Sequence, residues 1–394
     1  MSFGVYVHIP FCIQRCKYCD FATNEIDGEK SRILPPAKYV EFLEEEIRQR
    51  ADFYPRGNLD TLYFGGGTPS LLEPKLLEKV ITALGREGFS TTSSTEITLE
   101  INPGTMNPQK LKDYLAIGFN RFSVGCQTFD EALLKRLGRE HAAQDTRETL
   151  RLLQEQNLNF SVDLLFALPG QSLDLLRKDV LEILSFKPPH ISPYCLTLPE
   201  AHSLNVQRPS DDDQVAMFEL IHENLIAAQY QRYEISNYCL GGHESRHNNL
   251  YWMDEAYWGI GLSAHSYLPT PDWGTRFWNP RAIEAYKKMI EGSKGQSYKN
   301  PQEGLSADLF ETLKLNESIT DFFHTSLRRA DGVDLGKVRA KFGGTAAPLY
   351  TQAITRLVAR GLIMPKNESC YSLTDEGIVL SNEVFRELTF SEPL

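Results

Sequence analysis

Several features that would direct the interpretation are missing from this 394-residue sequence. No stretch approaches the ~18 uninterrupted apolar residues that a transmembrane helix requires. No basic segment followed by a long apolar one marks the N-terminus as a signal peptide. The GxGxxG pattern of dinucleotide-binding sheets is also absent. We therefore expect a cytoplasmic protein that has no transmembrane segment and is not built as a dinucleotide-binding sheet.

Basic residues are in short supply. The 41 lysines and arginines face 52 aspartates and glutamates, which gives a net charge of −11. A general affinity for nucleic acid is therefore not expected. The hydrophobic content of 41% and the charged content of 24% are ordinary for a globular chain and exclude a disordered one. At roughly 150 residues per domain, the length suggests two or three units.

Cysteines are few and unevenly placed. Three of the seven, Cys12, Cys16 and Cys19, lie within eight residues. The other four are scattered, namely Cys126, Cys195, Cys239 and Cys370. An odd, clustered set in a chain without a leader argues against a disulfide framework and for a metal or redox site.

Strand-like and helix-like segments alternate over the first two thirds of the chain. Strands are predicted at 5–9, 61–64, 96–101, 121–126, 160–168 and 190–196. Helices are predicted at 38–51, 70–84, 108–117, 130–137, 143–156 and 173–184. This alternation predicts an α/β fold, a partial (β/α)6 TIM-like barrel, with its chemistry at the carboxyl ends of the strands. The unusual residues do follow strands: the cysteines, then glycines 65–67, then Glu100 and Asn102, then Gln127.

A polar stretch rich in turn formers at 292–304 predicts a domain boundary. We expect the barrel and an aromatic-rich extension in 1–295 and a smaller domain in 305–394. In that smaller domain, helices are predicted at 307–314, 335–342, 348–360 and 377–388, with a β-pair at 362–365 and 369–373. Helices with one small hairpin are typical of a winged-helix-like domain.

The spacing of the first three cysteines, CxxxCxxC, places three thiolates on one loop. Four-iron clusters are normally held by four cysteines, so three leave one iron open to another ligand. The alternative is a zinc knot, which requires a fourth Cys or His, usually at short spacing. No such residue follows Cys19 closely, although a distant one would serve. The spacing therefore favours a [4Fe–4S] cluster.

The surrounding residues, CIQRCKYC followed by Gly65-Gly66-Gly67-Thr68-Pro69, resemble the signature of radical S-adenosylmethionine (SAM) proteins. That resemblance implies that SAM chelates the open iron and that one electron from the reduced cluster cleaves its sulfonium. It also implies that the glycine segment contacts the methionyl amine. Glycines suit this role because they let backbone groups approach a ligand that a Cβ atom would exclude.

A closer resemblance covers essentially the whole chain. VYVHIPFC, YFGGGTPS, TLEINPG, FSVGCQTF, LGREH and VDLLFALPGQ together are similar to the oxygen-independent coproporphyrinogen III oxidase family. The resemblance implies a SAM pocket built from Tyr6, Tyr18, Gly66, Gly67, Thr68, Glu100, Gln127, Arg139 and Asp163. Carboxylates suit the ribose hydroxyls, and the arginine and glutamine suit carboxylate or adenine groups.

Two departures from the oxidases resemble the heme chaperone branch of that family. Phe21 stands where an oxidase carries a further cysteine, and only eleven residues precede Cys12. In addition, HNNLYW, which begins at His247, matches the HNxxYW motif associated with heme in that branch. The resemblance makes His247 the expected heme ligand, with His243 and His265 as alternatives. The aromatic stretch at 247–278 either covers a porphyrin or plugs the barrel.

Three functions compete. The first is a heme chaperone that delivers heme to acceptor proteins, receives electrons from a donor and cleaves SAM but does not turn over coproporphyrinogen. The second is the oxidase itself. The third is a radical enzyme that modifies RNA through a basic run in the C-terminal region, formed by Arg328, Arg329, Lys337, Arg339 and Lys341. We interpret that run as a solvated helix face and expect no nucleic-acid partner.

Overall fold

The computed structural model describes residues 2–26 and 34–390. Its strands are β1 Phe3–Ile9, β2 Phe11–Cys12, β3 Asn24–Glu25, β4 Gly57–Asn58, β5 Thr61–Gly66, β6 Phe89–Ser90, β7 Glu96–Ile101, β8 Arg121–Gln127, β9 Asn159–Phe166, β10 His190–Cys195, β11 Gln231–Glu234, β12 Asn237–Cys239, β13 Ala256–Ile260, β14 His265–Leu268, β15 Thr275–Trp278, β16 Phe310–Thr312, β17 Val333–Asp334, β18 Ile363–Pro365 and β19 Cys370–Leu373.

Helices alternate with these strands in the first half of the chain and dominate its last quarter. They are α1 Pro36–Arg50, α2 Pro74–Arg86, α3 Pro108–Ala116, α4 Glu131–Leu137, α5 Ala143–Glu155, α6 Leu173–Ser185, α7 Asp211–Ala227, α8 Arg246–Trp252, α9 Ile283–Gly292, α10 Pro301–Gly304, α11 Leu315–Arg328, α12 Leu335–Phe342, α13 Ala347–Ala359, α14 Asp375–Val379 and α15 Ser381–Glu387. Among the residues described, no helix has the length and apolar character to cross a membrane.

Twelve strands form one curved sheet in the order β11-β12-β10-β9-β8-β7-β5-β1-β13-β14-β15-β16. From β10 to β1 the neighbours are parallel and follow each other along the chain, each pair joined through a helical crossover. This confirms the predicted partial barrel. A seventh parallel strand, β13, pairs with β1 and was not predicted. Its short, aromatic-rich sequence was assigned only to an extension of the barrel.

Each parallel strand shows one face to the helices and the other to the barrel interior. In β8, Phe122, Val124 and Cys126 are fully buried, while Ser123 and Gln127 line an internal cavity. Because side chains alternate along a strand, the apolar set packs against the helices and the polar set is gathered around the barrel axis. The fold thereby concentrates polar side chains in one place.

The antiparallel strands β14, β15 and β16 continue the sheet beyond β13. The predicted helix 307–314 is wrong: Ala307–Leu309 is a single 3-10 turn, and β16 follows it. Phe310 pairs in register with Phe277, so strand pairing with β15 overrides the local helical pattern. The aromatic stretch at 247–278 thus supplies three strands of the sheet, β13, β14 and β15, in addition to helix α8. Trp258 is fully buried against Tyr54, whereas Trp273 packs on Phe342.

A buried ionic network ties α1 to the strands that extend the barrel. The Glu46 carboxylate accepts hydrogen bonds from Arg50 Nη1 (2.7 Å), Asn279 Nδ2 (2.6 Å), the Gly261 backbone N–H (2.9 Å) and the Tyr286 hydroxyl (2.6 Å). Glu46 and Arg50 are both almost fully inaccessible to solvent. Four donors surround the two carboxylate oxygens of Glu46, so this network stabilises the packing of α1 against the strands.

The C-terminal region has its own hydrophobic core, which includes Ile319, Phe323, Val338, Leu357 and Val384. A three-stranded sheet in the order β17-β19-β18 and helices α11 to α15 surround it. The predicted β-pair corresponds to β18 and β19, and this arrangement matches the winged-helix-like fold that was predicted. The boundary that divides the chain at 295 and 305 stays a prediction.

Candidate functional site

The three clustered cysteines stand at the rim of the barrel, on the loop after β1. Cys12 ends β2, and the loop that carries Cys16 and Cys19 is anchored to the barrel by Lys17, whose backbone N–H donates to the Leu137 carbonyl at 2.9 Å. All three thiols line one cavity of about 490 Å³. The carboxyl ends of the strands open into the same cavity, as the sequence predicted from the barrel fold.

Burial disfavours the charged form of two of these thiols. It raises the pKa of Cys12 to about 11 and also raises the pKa of Cys19. The Thr68 hydroxyl lies 3.8 Å from Cys12 Sγ, and Arg139 Nη1 lies 3.6 Å from Cys16 Sγ, so each of these sulfurs has one donor beside it. A bound metal group would have to displace the thiol protons, as it does for cysteine ligands generally.

Within residues 2–26 and 34–390, no three Cys, His, Asp or Glu side chains form a site for a single metal ion. A four-iron cluster is larger than one ion and needs its thiolates spread around a cube. Three thiols that share a cavity without meeting at one point therefore fit a cluster better than they fit tetrahedral zinc.

The glycine segment after β5 lies directly against the β1–β2 connection. A Cβ atom on Gly67 would lie 2.7 Å from the Phe11 carbonyl oxygen and 2.8 Å from that of Ile9. Gly66 has a φ of 108°, and a Cβ atom there would lie 2.4 Å from the His8 ring. The N–H groups of Gly66, Gly67 and Thr68 are all bonded within the protein. Because these donors are already engaged, the glycine segment can offer hydrogen-bond acceptors to a ligand. An amine, which donates hydrogen bonds, suits such a site.

Two half-buried carboxyl groups face the cavity, and no lysine, arginine or histidine among the described residues forms an ion pair with either of them. Glu100 accepts hydrogen bonds from the Tyr63 hydroxyl at 2.8 Å and from the Gly66 N–H at 3.0 Å. Burial, together with the neighbouring Asp163, raises the pKa of Glu100 to about 7. Asp163 accepts from the Ser123 hydroxyl at 3.2 Å, and burial raises its pKa to about 6. Such perturbed acids in a cavity mark a binding site.

Arg139 crosses the cavity wall between the cysteines and β8. Its Nη2 donates to the Gly125 carbonyl at 2.9 Å and to the Asn102 side chain. Gln127 sits at an irregularity between β8 and β9 with a φ of 66°, an uncommon value for a residue other than glycine. The strained backbone turns this side chain toward the cavity, where Tyr18 also lies.

Of the residues expected to form the SAM pocket, only Tyr6 is not at the cavity surface. The Tyr6 hydroxyl lies 3.0 Å from Nδ1 of His8, and Nε2 of the same ring lies 2.9 Å from the Ala22 carbonyl oxygen. Tyr6 therefore helps to hold the imidazole ring against which Gly66 packs. Sequence reasoning missed further lining residues, among them the strand residues Tyr63, Arg121, Ser123, Ser192 and Tyr194. The inward half of the alternating pattern in each strand is the signal that would have identified them.

The predicted heme ligand His247 lies in α8, a helix that closes the amino-terminal end of the barrel. Its backbone N–H donates to Glu96 Oε1 at 3.0 Å. Its ring nitrogens lie 2.7 Å from the Thr61 hydroxyl and 2.8 Å from the Tyr251 hydroxyl, and the ring stacks on Tyr63. Burial lowers the pKa of His247 to about 3. This geometry is that of a packed, hydrogen-bonded histidine, and its role as a heme ligand stays a prediction.

The alternative ligands lie elsewhere. His243 is half-buried, with Nδ1 at 3.4 Å from Asn159 Oδ1. His265 is exposed in β14 and stacks on Trp278 at a ring-centroid distance of 5.8 Å. Neither residue lines the cysteine cavity, and neither shares a hydrogen bond with His247 in the part of the chain described.

Two known protein families match this chain, one in the barrel and one in the C-terminal region. The Radical SAM superfamily matches residues 6–183, which contain the cysteines, the glycine segment and both cavity carboxylates. The HemN C-terminal domain family matches residues 313–380, within the second hydrophobic core.

Individual relatives extend the match over the full length. The heme chaperone HemW of Lactococcus lactis is 34% identical over 99% of this chain and 98% of its own length. The heme chaperone HemW of Bacillus subtilis is 32% identical over 97% and 98%, respectively. Among solved structures, Escherichia coli coproporphyrinogen III oxidase (HemN), a radical SAM enzyme, superposes with a TM-score of 0.81 at 20% identity, over 98% of this chain and 90% of that one.

Proposed function

The chain belongs to the heme chaperone HemW family within the radical SAM superfamily, and from this premise we propose that it is a heme chaperone. In this proposal the protein holds a [4Fe–4S] cluster, SAM and heme, receives electrons from a donor protein and passes heme to acceptor proteins. It works in the cytoplasm, where thiols stay reduced. The observation that carries the proposal is the gathering of three cysteines and the glycine segment around one cavity in a chain of this family.

Cys12, Cys16 and Cys19 would hold the cluster. The backbone acceptors of Gly66, Gly67 and Thr68 would face the methionyl amine of SAM, and Glu100, Gln127, Arg139 and Asp163 would line the rest of its pocket. When bound, the reduced cluster supplies one electron to SAM. The protein's own part is to bind and orient: Glu100 is fixed by two donors, so it can accept from a third without rearrangement.

The placement of charged side chains in the pocket also suits SAM. An amine and a sulfonium carry positive charge, and the cavity places Glu100 and Asp163 within reach of it. Arg139, on the opposite side beside Cys16, would face the carboxylate end. A positively charged ligand would stabilise both cavity carboxylates in their ionised forms, which offsets the cost of their burial.

The competing function is oxidation of coproporphyrinogen III. Its support is the superposition on Escherichia coli HemN, which at 20% identity shows a common fold alone. The relatives that match over nearly the full length are named heme chaperones, and Phe21 stands where the oxidases were expected to carry a further cysteine. We therefore propose that this chain does not turn over coproporphyrinogen.

One experiment separates the two functions. The cluster is reconstituted anaerobically in the full chain, and the same sample is titrated with hemin and incubated with coproporphyrinogen III, SAM and dithionite. We expect about one heme per chain and no protoporphyrinogen. Cys12→Ser serves as the control that loses most of the cluster iron, and Cys370→Ser as the matched control that retains it. Decarboxylation by the wild type would establish the oxidase instead.

A further inference from the structure

A second cavity lies far along the sheet from the cysteines. It is a groove of about 400 Å³ between strand β11, at the edge of the large sheet, and the small sheet of the C-terminal region. We call it the edge groove. The side chains that matter for its chemistry are His222, Arg232, Arg328, Met364, Lys366 and Asp375. It shares no lining residue with the cysteine cavity.

The edge groove contains a histidine with one ring nitrogen available. His222, in α7, is half-buried, and its Nδ1 lies 3.1 Å from the Tyr238 hydroxyl. Its Nε2 has no hydrogen-bond partner among the residues described. By contrast, His8, His190 and His247 each engage both nitrogens. Metal-ligating histidines commonly bond one ring nitrogen to the protein and present the other to the metal.

The environment keeps this imidazole neutral, which iron binding needs. Burial and then the charge of Arg232 lower the pKa of His222. Asp375 and Glu223 act in the opposite direction but more weakly. In the tautomer in which Nδ1 donates its proton to the Tyr238 hydroxyl, the lone pair lies on Nε2 and can bind a metal.

The walls of the groove fit a porphyrin rather than a small polar ligand. Ile226 and Met364 line it while remaining 44% and 48% exposed, which is unusual for large apolar side chains. Leu327 and Ile378 add further apolar surface. A flat macrocycle buries such side chains when it enters an open groove.

One basic side chain of the groove is placed to bind a propionate. Four basic side chains line the groove, those of Arg232, Arg328, Arg329 and Lys366. The three arginines are already in ion pairs, with Asp375, Glu234 and Asp331, respectively. The Lys366 ammonium donates to the Ala330 carbonyl at 3.0 Å and makes no ion pair among the residues described.

From these observations we propose that the edge groove is a heme site in which His222 Nε2 binds the iron, the apolar walls cover the macrocycle, and Lys366 binds a propionate. The proposal rests on the proposed heme function and adds a location to it. A site at the sheet edge, apart from the cysteine cavity, lets heme bind without displacing SAM or the cluster. It also leaves one side of the heme open to an acceptor.

The test is a hemin titration of the full chain carrying its cluster, followed by absorption and EPR spectra. The variants are His222→Ala, His247→Ala, His243→Ala and Lys366→Ala. We expect His222→Ala to weaken heme binding at least tenfold and to change the Soret band, while cluster iron stays at the wild-type level. Imidazole added to His222→Gly should restore the wild-type spectrum. Lys366→Ala should weaken binding by a few fold without a spectral change.

The outcomes separate this proposal from the proposed function. If the wild type binds no heme, the chaperone function fails and the edge groove fails with it. If the wild type binds heme and His222→Ala is unchanged, only the edge groove is overturned, and a spectral change in His247→Ala or His243→Ala relocates the ligand. Should His222→Ala lose cluster or fold, His222→Gln and Tyr238→Phe repeat the test. A normal Soret band in His222→Gln would equally overturn the proposal.

Discussion

Glu46 is fully buried in the fold and Glu100 is half-buried at the wall of the cysteine cavity, and their surroundings differ. Glu46 receives four hydrogen bonds, one of them from an arginine 2.7 Å away. Glu100 receives two, from Tyr63 and Gly66, and forms no ion pair within the part of the chain that the structure describes. Glu46 faces packed side chains, whereas Glu100 faces a cavity. The Glu46 carboxylate, which has all its hydrogen bonds made, stabilises the fold. The Glu100 carboxylate can still accept hydrogen bonds from a ligand.

The difference shows that burial alone does not identify a functional acid. A buried charge that is fully paired is costly to break but has no capacity to bind anything else. A buried acid whose pKa is displaced and whose oxygens face space is a candidate for binding. The predictions below test whether the two glutamates divide between structure and function in this way.

The largest effect is expected on stability at Glu46. Glu46→Ala leaves Arg50 buried without its partner and three other donors unsatisfied, so the free energy of unfolding should fall by about 3–5 kcal/mol. Urea unfolding followed by circular dichroism measures it. Glu100→Gln, compared with the wild type at pH 5 where Glu100 is protonated in the folded state, is the matched control and should change stability by less than about 1 kcal/mol. Equal losses in both variants would show that the two sites are not different in kind.

The next effect is on ligand affinity at Glu100. Glu100→Gln keeps the shape of the side chain but removes its charge, so SAM affinity should fall by about 10–100-fold, the loss of one hydrogen bond to a charged group. Calorimetry on the reconstituted protein measures it, with iron content as the check on the cluster. Glu46→Gln, if it folds, should retain the wild-type affinity. Unchanged affinity in Glu100→Gln would remove this residue from the pocket.

The sequence predicted the barrel because each strand–helix pair carries its own periodicity, and it placed the cysteines, Gly66 and Glu100 at strand ends for the same reason. Most of the expected SAM residues do line one cavity. The sequence could not predict β13 or β16, because their positions are decided by pairing with β1 and β15, far away in the chain. It also could not show that α8 fills the barrel end, which depends on Glu96 reaching the His247 N–H.

His222 illustrates the same limit. Nothing in the local sequence separates it from an ordinary helix-surface histidine, because its groove forms only when the C-terminal region packs beside β11. The basic run of the C-terminal region was expected to be a solvated helix face, but two of its side chains contact residues that follow α8 or end it. Arg328 lies 4.4 Å above the Trp252 ring, and Lys341 pairs with Asp254.

The smallest effect is the pH dependence of stability that Glu100 introduces. The pKa of Glu100 is raised from its ordinary value to about 7 in the folded protein, so the folded state holds a proton that the unfolded state has released. Stability from this group is fully present below the unfolded pKa, near pH 4.5, and is lost as pH rises through about 7. Without ligand, the free energy of unfolding should therefore fall by about 1–2 kcal/mol between pH 5 and 7. Asp163, with a pKa raised to about 6, acts in the same direction.

In Glu100→Gln most of this slope should disappear, as measured by urea unfolding at several pH values. A wild-type slope that persists in that variant would assign the titration to Asp163, and a rise in stability over this range would contradict the buried, proton-holding state of both acids.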